Sequence, residues 1–414
     1  MPSPITSVSS ASAHAMSQDL PKRIVEHLDR SRAAMSDLLE QLVLCESPSS
    51  DPSSLRRMLQ VLAGAFEQRG FRPVILPGKQ SGGMLLAVPE RRPRPRRHQL
   101  VLGHCDTVWP VGTLQTMPAK VEDGTFWGPG AYDMKAGLVQ GLFAIEALWA
   151  AGANPLELTP VFFVNTDEEI GSHDSTRMIV RLARRADRCF VLEPSLGPEG
   201  SLKTARKGVG RFTITVKGRA AHAGLDPGQG ASAILELSLI VQQLFALNDA
   251  ERGVTVNVGT IDGGLSPNVV APESKATVDV RVPTKEDAAR IEAIIFGIQP
   301  QTPGTRVEIR GAIGRPPMER TARNQRLWRL AVRCAEELGF QIDQAAAGGG
   351  SDGNTTSQLA PTLDGLGAVG AGAHALSEHL VLDKMIERSA LLARLLSCPP
   401  LDVAVPPEDD THSV

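Results

Sequence analysis

The sequence predicts an α/β protein: one domain with a sheet covered by helices, interrupted by an inserted ferredoxin-like βαββαβ domain. Three observations lead there. The 414 residues exceed what a single ordinary core accommodates. Up to residue 206 helical and strand-like apolar runs alternate, the grammar of a sheet covered by helices. Over 207–314 the order becomes strand, helix, strand, strand, helix, strand, a unit complete in itself.

Taken in order, apolar residues recur at helical spacing over 38–44 and 55–66. Short apolar runs of strand length follow at 99–102, 161–164 and 190–192, and each leads into polar residues: His104, the acids at 167–169, and Glu193. Open α/β sheets bind ligands beyond the carboxyl ends of their strands, so these positions are candidates for a site. One helix is expected from near Met134 through Leu148 and another from near Ser172. The inserted domain, 207–314, holds strands at 212–216, 254–260, 275–282 and 306–310, with helices at 231–247 and 285–298. A helix at 324–338, a glycine-rich loop at 348–353, a second loop at 365–374 and a helix at 384–396 complete the first domain, which comprises 20–206 and 315–398. The ends, 1–19 and 399–414, read as flexible tails.

Composition narrows the function classes. With 43 basic and 46 acidic side chains the net charge is -3, too weak a field to argue for nucleic acid or an anionic membrane. The basic run at 91–97 is broken by prolines and reads as a solvated loop. Cys45, Cys105, Cys189, Cys334 and Cys398 are odd in number and never spaced as CxxC, which favours a reducing, cytoplasmic compartment over a disulfide framework. The first twenty residues lack an apolar centre, and no apolar run reaches the length of a membrane span.

Five short segments carry the chemistry: GHCDTV with His104 and Asp106, GPGAYDMKAG with Asp133, NTDEEIGS with Glu168 and Glu169, VLEP with Glu193, and GAGAHALSEH with His374. Imidazole and carboxylate mixed at segment ends are what two close hydrolytic metal ions require. Extended backbone puts His104 and Asp106 on one face, so the Asp106 carboxylate can accept the spare imidazole N–H, with Cys105 turned away as a small buried residue. Asp133 lies where a carboxylate could bridge two cations, or merely cap the following helix. Three adjacent acids at 167–169 repel one another unless a dication compensates, and one glutamate can ligate while its neighbour accepts a proton. Read alone, each motif has a plainer meaning: a satisfied histidine, a cap, a solvated turn. His173 reads as an exposed residue of a first helical turn. Between His374 and His379 the residues themselves do not choose. GxGxxG at 365–370 follows no first strand of a βαβ unit, and a triad of Ser351, His374 and Asp352 lacks a GxSxG elbow and leaves the acids unexplained.

With KGRAAHAG and GGGSDG added, seven motifs in this order resemble the dinuclear-zinc exopeptidase family of bacterial glutamate carboxypeptidases, acetylornithine deacetylase, succinyl-diaminopimelate desuccinylase and aminoacylases. The similarity runs from about residue 35 to 397 and is nearest to the glutamate, folate-hydrolysing carboxypeptidases through VLEPS and the pair Arg315-Pro316. The resemblance implies a zinc-exopeptidase catalytic domain, a mixed sheet between helices, with an inserted ferredoxin-like dimerisation domain. It further implies that His104 and Glu193 bind one zinc, Glu169 and His374 the other, with Asp133 bridging, Glu168 as general base, and a cis bond after Asp133. Cobalt or manganese could take the place of zinc. His379 falls where relatives often carry tyrosine and is a departure from the pattern. His222 would reach a partner subunit's active site, and Asn268, Arg281 and Arg315 correspond to positions near the substrate carboxylate.

The expectation is therefore a metal-dependent amide hydrolase, a homodimer, acting on a small substrate with a free carboxylate and releasing a C-terminal amino acid such as glutamate. A deacylase of N-acyl amino acids on the same metal site, and a non-catalytic amino-acid or dipeptide binding protein, are the competing expectations.

Overall fold

The computed structural model describes residues 19–91 and 97–404, with backbone alone at 403 and 404. The chain divides into two compact units, Met1–Thr204 with Thr321–Ala345 and Leu359–Val414, and Ala205–Arg320 with Ala346–Gln358. Most of the basic loop expected at 91–97, nearly all of the tail expected at 1–19, and residues 405–414 of the second tail lie outside the described residues.

The first unit opens with helices α1 (Leu20–Arg30), α2 (Arg32–Leu44) and α3 (Pro52–Glu67). Asp51 starts α3 by accepting the amide of Ser53, and Pro52 takes the first helical position, where a missing N–H is no loss. Strands β1 (Phe71–Leu76), β2 (Met84–Pro89), β3 (His98–His104), β4 (Lys120–Glu122) and β5 (Thr125–Trp127) follow. Next come helix α4 (Ala136–Ala150), β6 (Thr159–Asn165), α5 (Thr176–Ala183), β7 (Ala186–Val191) and β8 (Leu202–Arg206). β1 carries Pro73, which the sheet tolerates because β1 is its edge strand. That proline also hides the strand from a reading of apolar runs.

All seven residues of β6 are buried, because helices cover both faces of the sheet. Alternate side chains serve opposite cores: Phe162 and Val164 join the large cluster with α4, whereas Val161 and Phe163 join the smaller one with Ile179 of α5. Phe163 is fully buried, so its truncation to alanine removes about 3–5 kcal/mol of stability. Helix α4 approaches closely, since a Cβ on Gly137 would stand 2.1 Å from the carbonyl oxygen of Leu192.

Parallel pairing sets the site. His104 lies opposite Asn165 and Leu102 opposite Val191, so β3, β6 and β7 end at one edge and their following residues emerge together. Two helices begin later than the sequence predicts. Met134 is non-helical (φ -132°, ψ 33°), and α4 starts only at Ala136. Ser172 adopts φ +55°, and the Asp167 carboxylate accepts the amides of Asp174 and Ser175, which keeps this stretch a turn until α5 begins at Thr176. His173 is exposed, in that turn rather than in the helix.

The second unit runs β9 (Gly208–Lys217), α6 (Ala233–Phe245), β10 (Thr255–Gly263), β11 (Glu273–Val282), α7 (Lys285–Phe296) and β12 (Arg306–Arg315). Its sheet order is β10-β11-β9-β12 and all neighbours are antiparallel, the ferredoxin-like arrangement. Ser232 caps α6 through the amide of Leu235, and Thr284 caps α7 through the amide of Asp287. Phe212, Ile214, Val216, Val278, Val280 and Ile291 form its core. The sequence reading assigned 315–398 wholly to the other domain, yet 346–358 group with this unit: Lys207 donates its amide to the Ala347 carbonyl, and Asn354 Nδ2 donates to the carbonyls of Lys207 and Pro316.

The chain then continues as α8 (Ala322–Glu337), β13 (Gln344–Ala347), α9 (Asp352–Thr356), β14 (Thr362–Leu363), β15 (Gly370–Ala371), β16 (His379–Val381), α10 (Leu382–Ser397) and α11 (Leu401–Ala404). β14 completes the mixed six-stranded sheet, ordered β1-β2-β6-β3-β7-β14, and β15, β16, β5 and β4 form a small sheet of their own. The stretch expected to be a loose tail from residue 399 is ordered as far as α11, because Leu401 is buried and its amide is held by Asp187.

Candidate active site

At the carboxyl edge of the six-stranded sheet two imidazoles and several carboxylates converge. His104 ends β3 and is 1% exposed. Its Nδ1 donates to the Asp106 carbonyl at 3.0 Å, which leaves Nε2 as a bare lone pair. That lone pair faces Asp133 Oδ1 at 3.2 Å and Glu193 Oε1 at 3.5 Å. The other Asp133 oxygen, Oδ2, lies 3.6 Å from His374 Nε2, and Glu169 Oε2 lies 3.2 Å from the same nitrogen. Asp133 thus turns one oxygen to each histidine. It does not cap α4, whose N-terminus has no side-chain hydrogen bond.

The Asp106 carboxylate is fully buried and differs from expectation in its main work. It stands 3.4 Å from His104 Nδ1, farther than its own backbone carbonyl. It accepts Ser49 Oγ at 2.7 Å and the amides of Glu168 and Glu169 at 3.3 and 3.2 Å. Asp106 therefore ties the acidic turn after β6 to the end of β3. Of the three adjacent acids, Asp167 turns inward to the turn amides, while Glu168 and Glu169 are half-buried. Carboxylate atoms of Glu168 and Glu193 and a ring nitrogen of His104 lie within 4.8 Å of one another, so Glu168 stands beside the ligand set rather than apart from it.

His374 rather than His379 enters the cluster. The loop carries it at φ +62°, in the left-handed region, with its side chain about half exposed. His379 begins β16, bonds the Ser377 carbonyl through Nδ1 and stacks on Trp127 with ring centroids 4.5 Å apart. The bond between Asp133 and Met134 is cis.

Residues 100–397 match peptidase family M20/M25/M40. The chain belongs to this family. Carboxypeptidase G2 of Pseudomonas sp. (strain RS-16) is 26% identical over 92% of this chain and 93% of its own. Succinyl-diaminopimelate desuccinylase of Dechloromonas aromatica (strain RCB) is 27% identical over 71% of this chain and 81% of its own. A solved dinuclear metal-binding M20 peptidase of Bacillus subtilis matches the fold with a TM-score of 0.64 at 16% identity, covering 91% of this chain and 99% of that one.

The donor set of this M20 peptidase fits a metal centre. Ligand atoms about 2.1 Å from one tetrahedral ion stand about 3.4 Å apart, and the contacts above run from 3.2 to 3.6 Å. A bare imidazole lone pair facing two carboxylate oxygens is repulsive unless a cation lies between them. Burial alone would lower the His104 imidazole, but Asp106, Asp133 and Glu193 outweigh it and raise it well above its ordinary value. The bond to Glu169 raises His374 to about 9. Burial raises Glu169, against the pull of His374.

Glu378 is a buried carboxylate of this cluster that the sequence does not single out. It is 1% exposed and accepts the amides of Gly130, Tyr132 and Asp133 at 2.9, 3.0 and 3.0 Å, with the Trp109 indole N–H at 2.8 Å. Burial raises its carboxyl above the usual range while these donors resist. Its position four residues after His374 was the available signal, and an acid in a glycine-rich loop looks solvent-facing until the fold closes over it.

The remaining predicted residues lie in the second unit. His222 is exposed, and its Nδ1 accepts the amides of Gly224 and Leu225 at 3.1 Å each, which places the proton on Nε2 as an outward donor. Asn268 is on the adjacent loop, its carbonyl accepting the amide of Ala223. Arg281 and Arg315 both pair in register with Val209, one on each side, so the two residues share one row across the sheet. Arg281 is bound by Asp279 at 2.8 Å, and Arg315 faces Asp352 at 3.6 Å. Ser351 caps α9, which accounts for it without a triad.

Proposed function

We propose that this M20 peptidase is a dizinc carboxypeptidase, releasing a C-terminal amino acid such as glutamate from a small substrate that bears a free carboxylate. The observation that carries the reading is Asp133 turning one oxygen to His104 and the other to His374. In it His104 and Glu193 would hold one ion, Glu169 and His374 the other, and Asp133 would serve both. Two such ions, when bound, supply polarisation of a scissile carbonyl and a water acidic enough to attack it near neutral pH.

The chain's own residues do the rest. Glu168 accepts the proton of the attacking water and returns it to the departing amine, the share of a general acid–base group. His222 offers its Nε2–H to the developing oxyanion. Arg315, with Asn268 and Arg281, holds the substrate carboxylate, for which a guanidinium offers two parallel N–H donors. The reading includes a homodimer through the inserted domain, with His222 acting in the partner's site. Ile234, Leu235 and Phe245 along α6, and Ile261 on the edge strand β10, are exposed apolar residues that such an interface would cover. Five free thiols support a cytoplasmic, reducing location, and no helix among the described residues is long and apolar enough to cross a membrane.

The test is a hydrolysis screen with zinc-replete protein over dipeptides and acyl-amino acids differing in the C-terminal residue. Release of a C-terminal amino acid, fastest for glutamate-ended amides, is the expected result. Faster release of acetate or succinate from N-acyl amino acids would replace it with the deacylase reading, which the desuccinylase likeness favours.

A further inference from the structure

Two thiols of the first unit stand outside the metal chemistry. Cys334 lies on α8 and Cys398 caps α10; they are 1% and 4% exposed, with sulfurs 3.6 Å apart. Disulfide sulfurs lie about 2.0 Å apart, so closure requires about 1.6 Å of approach.

The surroundings of Cys398 are cationic and rigid. Arg394 aims Nη1 at its sulfur from 3.1 Å while Nε pairs with Glu337 at the end of α8. Arg188, wholly buried, donates to the carbonyls of Leu395, Cys398 and Pro399, which pins the backbone that carries the thiol. The bond to Cys334 and the two guanidiniums hold the Cys398 thiol below its ordinary range against the effect of burial. Cys334 is pushed the other way, by its bond to Cys398 and by burial. The Arg394 guanidinium, 3.1 Å from Cys398 sulfur, favours the thiolate there, which leaves Cys334 as the resolving thiol.

We propose that Cys334 and Cys398 are an oxidation site that hydrogen peroxide closes into a disulfide, tying α8 to the end of α10. The Cys398 thiolate attacks one peroxide oxygen; an S–O bond forms, the O–O bond breaks, and hydroxide leaves and takes up the released proton as water. Cys334 sulfur then attacks Cys398 sulfur; the S–S bond forms, the S–O bond breaks, and the hydroxyl departs with the Cys334 proton as a second water. Two thiols are oxidised and one peroxide is reduced. Burial restricts the reaction to a small neutral oxidant. The closed loop, 334–398, contains His374 and Glu378, so the disulfide braces the segment that presents them.

The experiment treats the full-length protein with hydrogen peroxide, then counts thiols and maps peptides without reductant. Free thiols are expected to fall from five to three, with one peptide pair joined through Cys334 and Cys398 and dithiothreitol restoring the original count. In Cys334→Ala protein the expected product is a Cys398 sulfenic acid, captured by dimedone added as the peroxide-treated protein is unfolded in urea. A count that stays at five, a disulfide through any other cysteine, or a variant that yields no adduct at Cys398 overturns the proposal.

Discussion

Glu378 accepts the backbone amide of Asp133 at 3.0 Å across 245 residues of sequence. That bond, with those to Gly130 and Tyr132, fixes the turn that aims the two Asp133 oxygens in opposite directions. Glutamine in its place keeps the shape but puts an NH₂ group where an acceptor is needed. Glu378→Gln is expected to keep the fold and weaken divalent-metal binding by about 10–100-fold, the usual loss for a partner that orients a ligand. Competition titration of the dialysed protein with a metal indicator measures it. Unchanged affinity in a folded variant would mean that the turn holds Asp133 without Glu378.

Glu168→Gln is expected to retain the metal stoichiometry of the wild type and lose about 10²–10⁴ in kcat, the share of a general base. Its amide is held by Asp106, so the substitution leaves the turn in place. Elemental analysis beside the rate separates the roles: lost metal with lost rate would make Glu168 a ligand, in keeping with its closeness to His104 and Glu193.

Chelation followed by readdition of a divalent cation tests the centre itself. Hydrolysis is expected to vanish with the metal and return with it, while far-ultraviolet circular dichroism stays unchanged, because both cores of the sheet are built from apolar residues outside the site. Activity that survives verified removal would exclude metal hydrolysis.

His222→Ala is expected to lower kcat without changing metal content. Mixed with Asp133→Ala protein, it should recover part of the lost activity if the imidazole works in the partner's site. No recovery under conditions of subunit exchange would confine His222 to its own chain.

Asp174 provides a pH test away from the metals. Burial would raise its carboxyl, but the amides of Gln80, Ser81 and Lys79 and the Ser81 hydroxyl hold it at about 2. The stabilisation is complete above about pH 4, the unfolded value, and is lost as pH falls through about 2. The gap in Tm between wild type and Asp174→Ala should narrow over that window, and a constant gap would remove the carboxylate charge as its source.

Much of this architecture is legible in one dimension because its signals are local. The apolar run of β6 leads into acids and the run of β3 ends in histidine. β1 was hidden by a proline that only an edge position permits, and β13 to β16, two to four residues each, are too short to carry a period. The starts of α4 and α5 slipped because specific hydrogen bonds override propensity: Glu378 takes the Asp133 amide beside non-helical Met134, and the Asp167 carboxylate takes the amides of Asp174 and Ser175 after Ser172.

By itself the sequence determined the residue types, their order and the strand ends on which they stand, and through the resemblance their family. Only the tertiary structure decided which of them meet. Parallel register brings the ends of β3, β6 and β7 to one edge; the small sheet turns His379 onto Trp127 and leaves His374 to face Asp133 and Glu169; and closure of the core buries Glu378 against amides more than 240 residues away. The physical reason is that ligand spacing is a distance in space of a few ångströms, set by sheet register and by hydrogen bonds that buried groups must make, and neither is written in the local pattern of the chain.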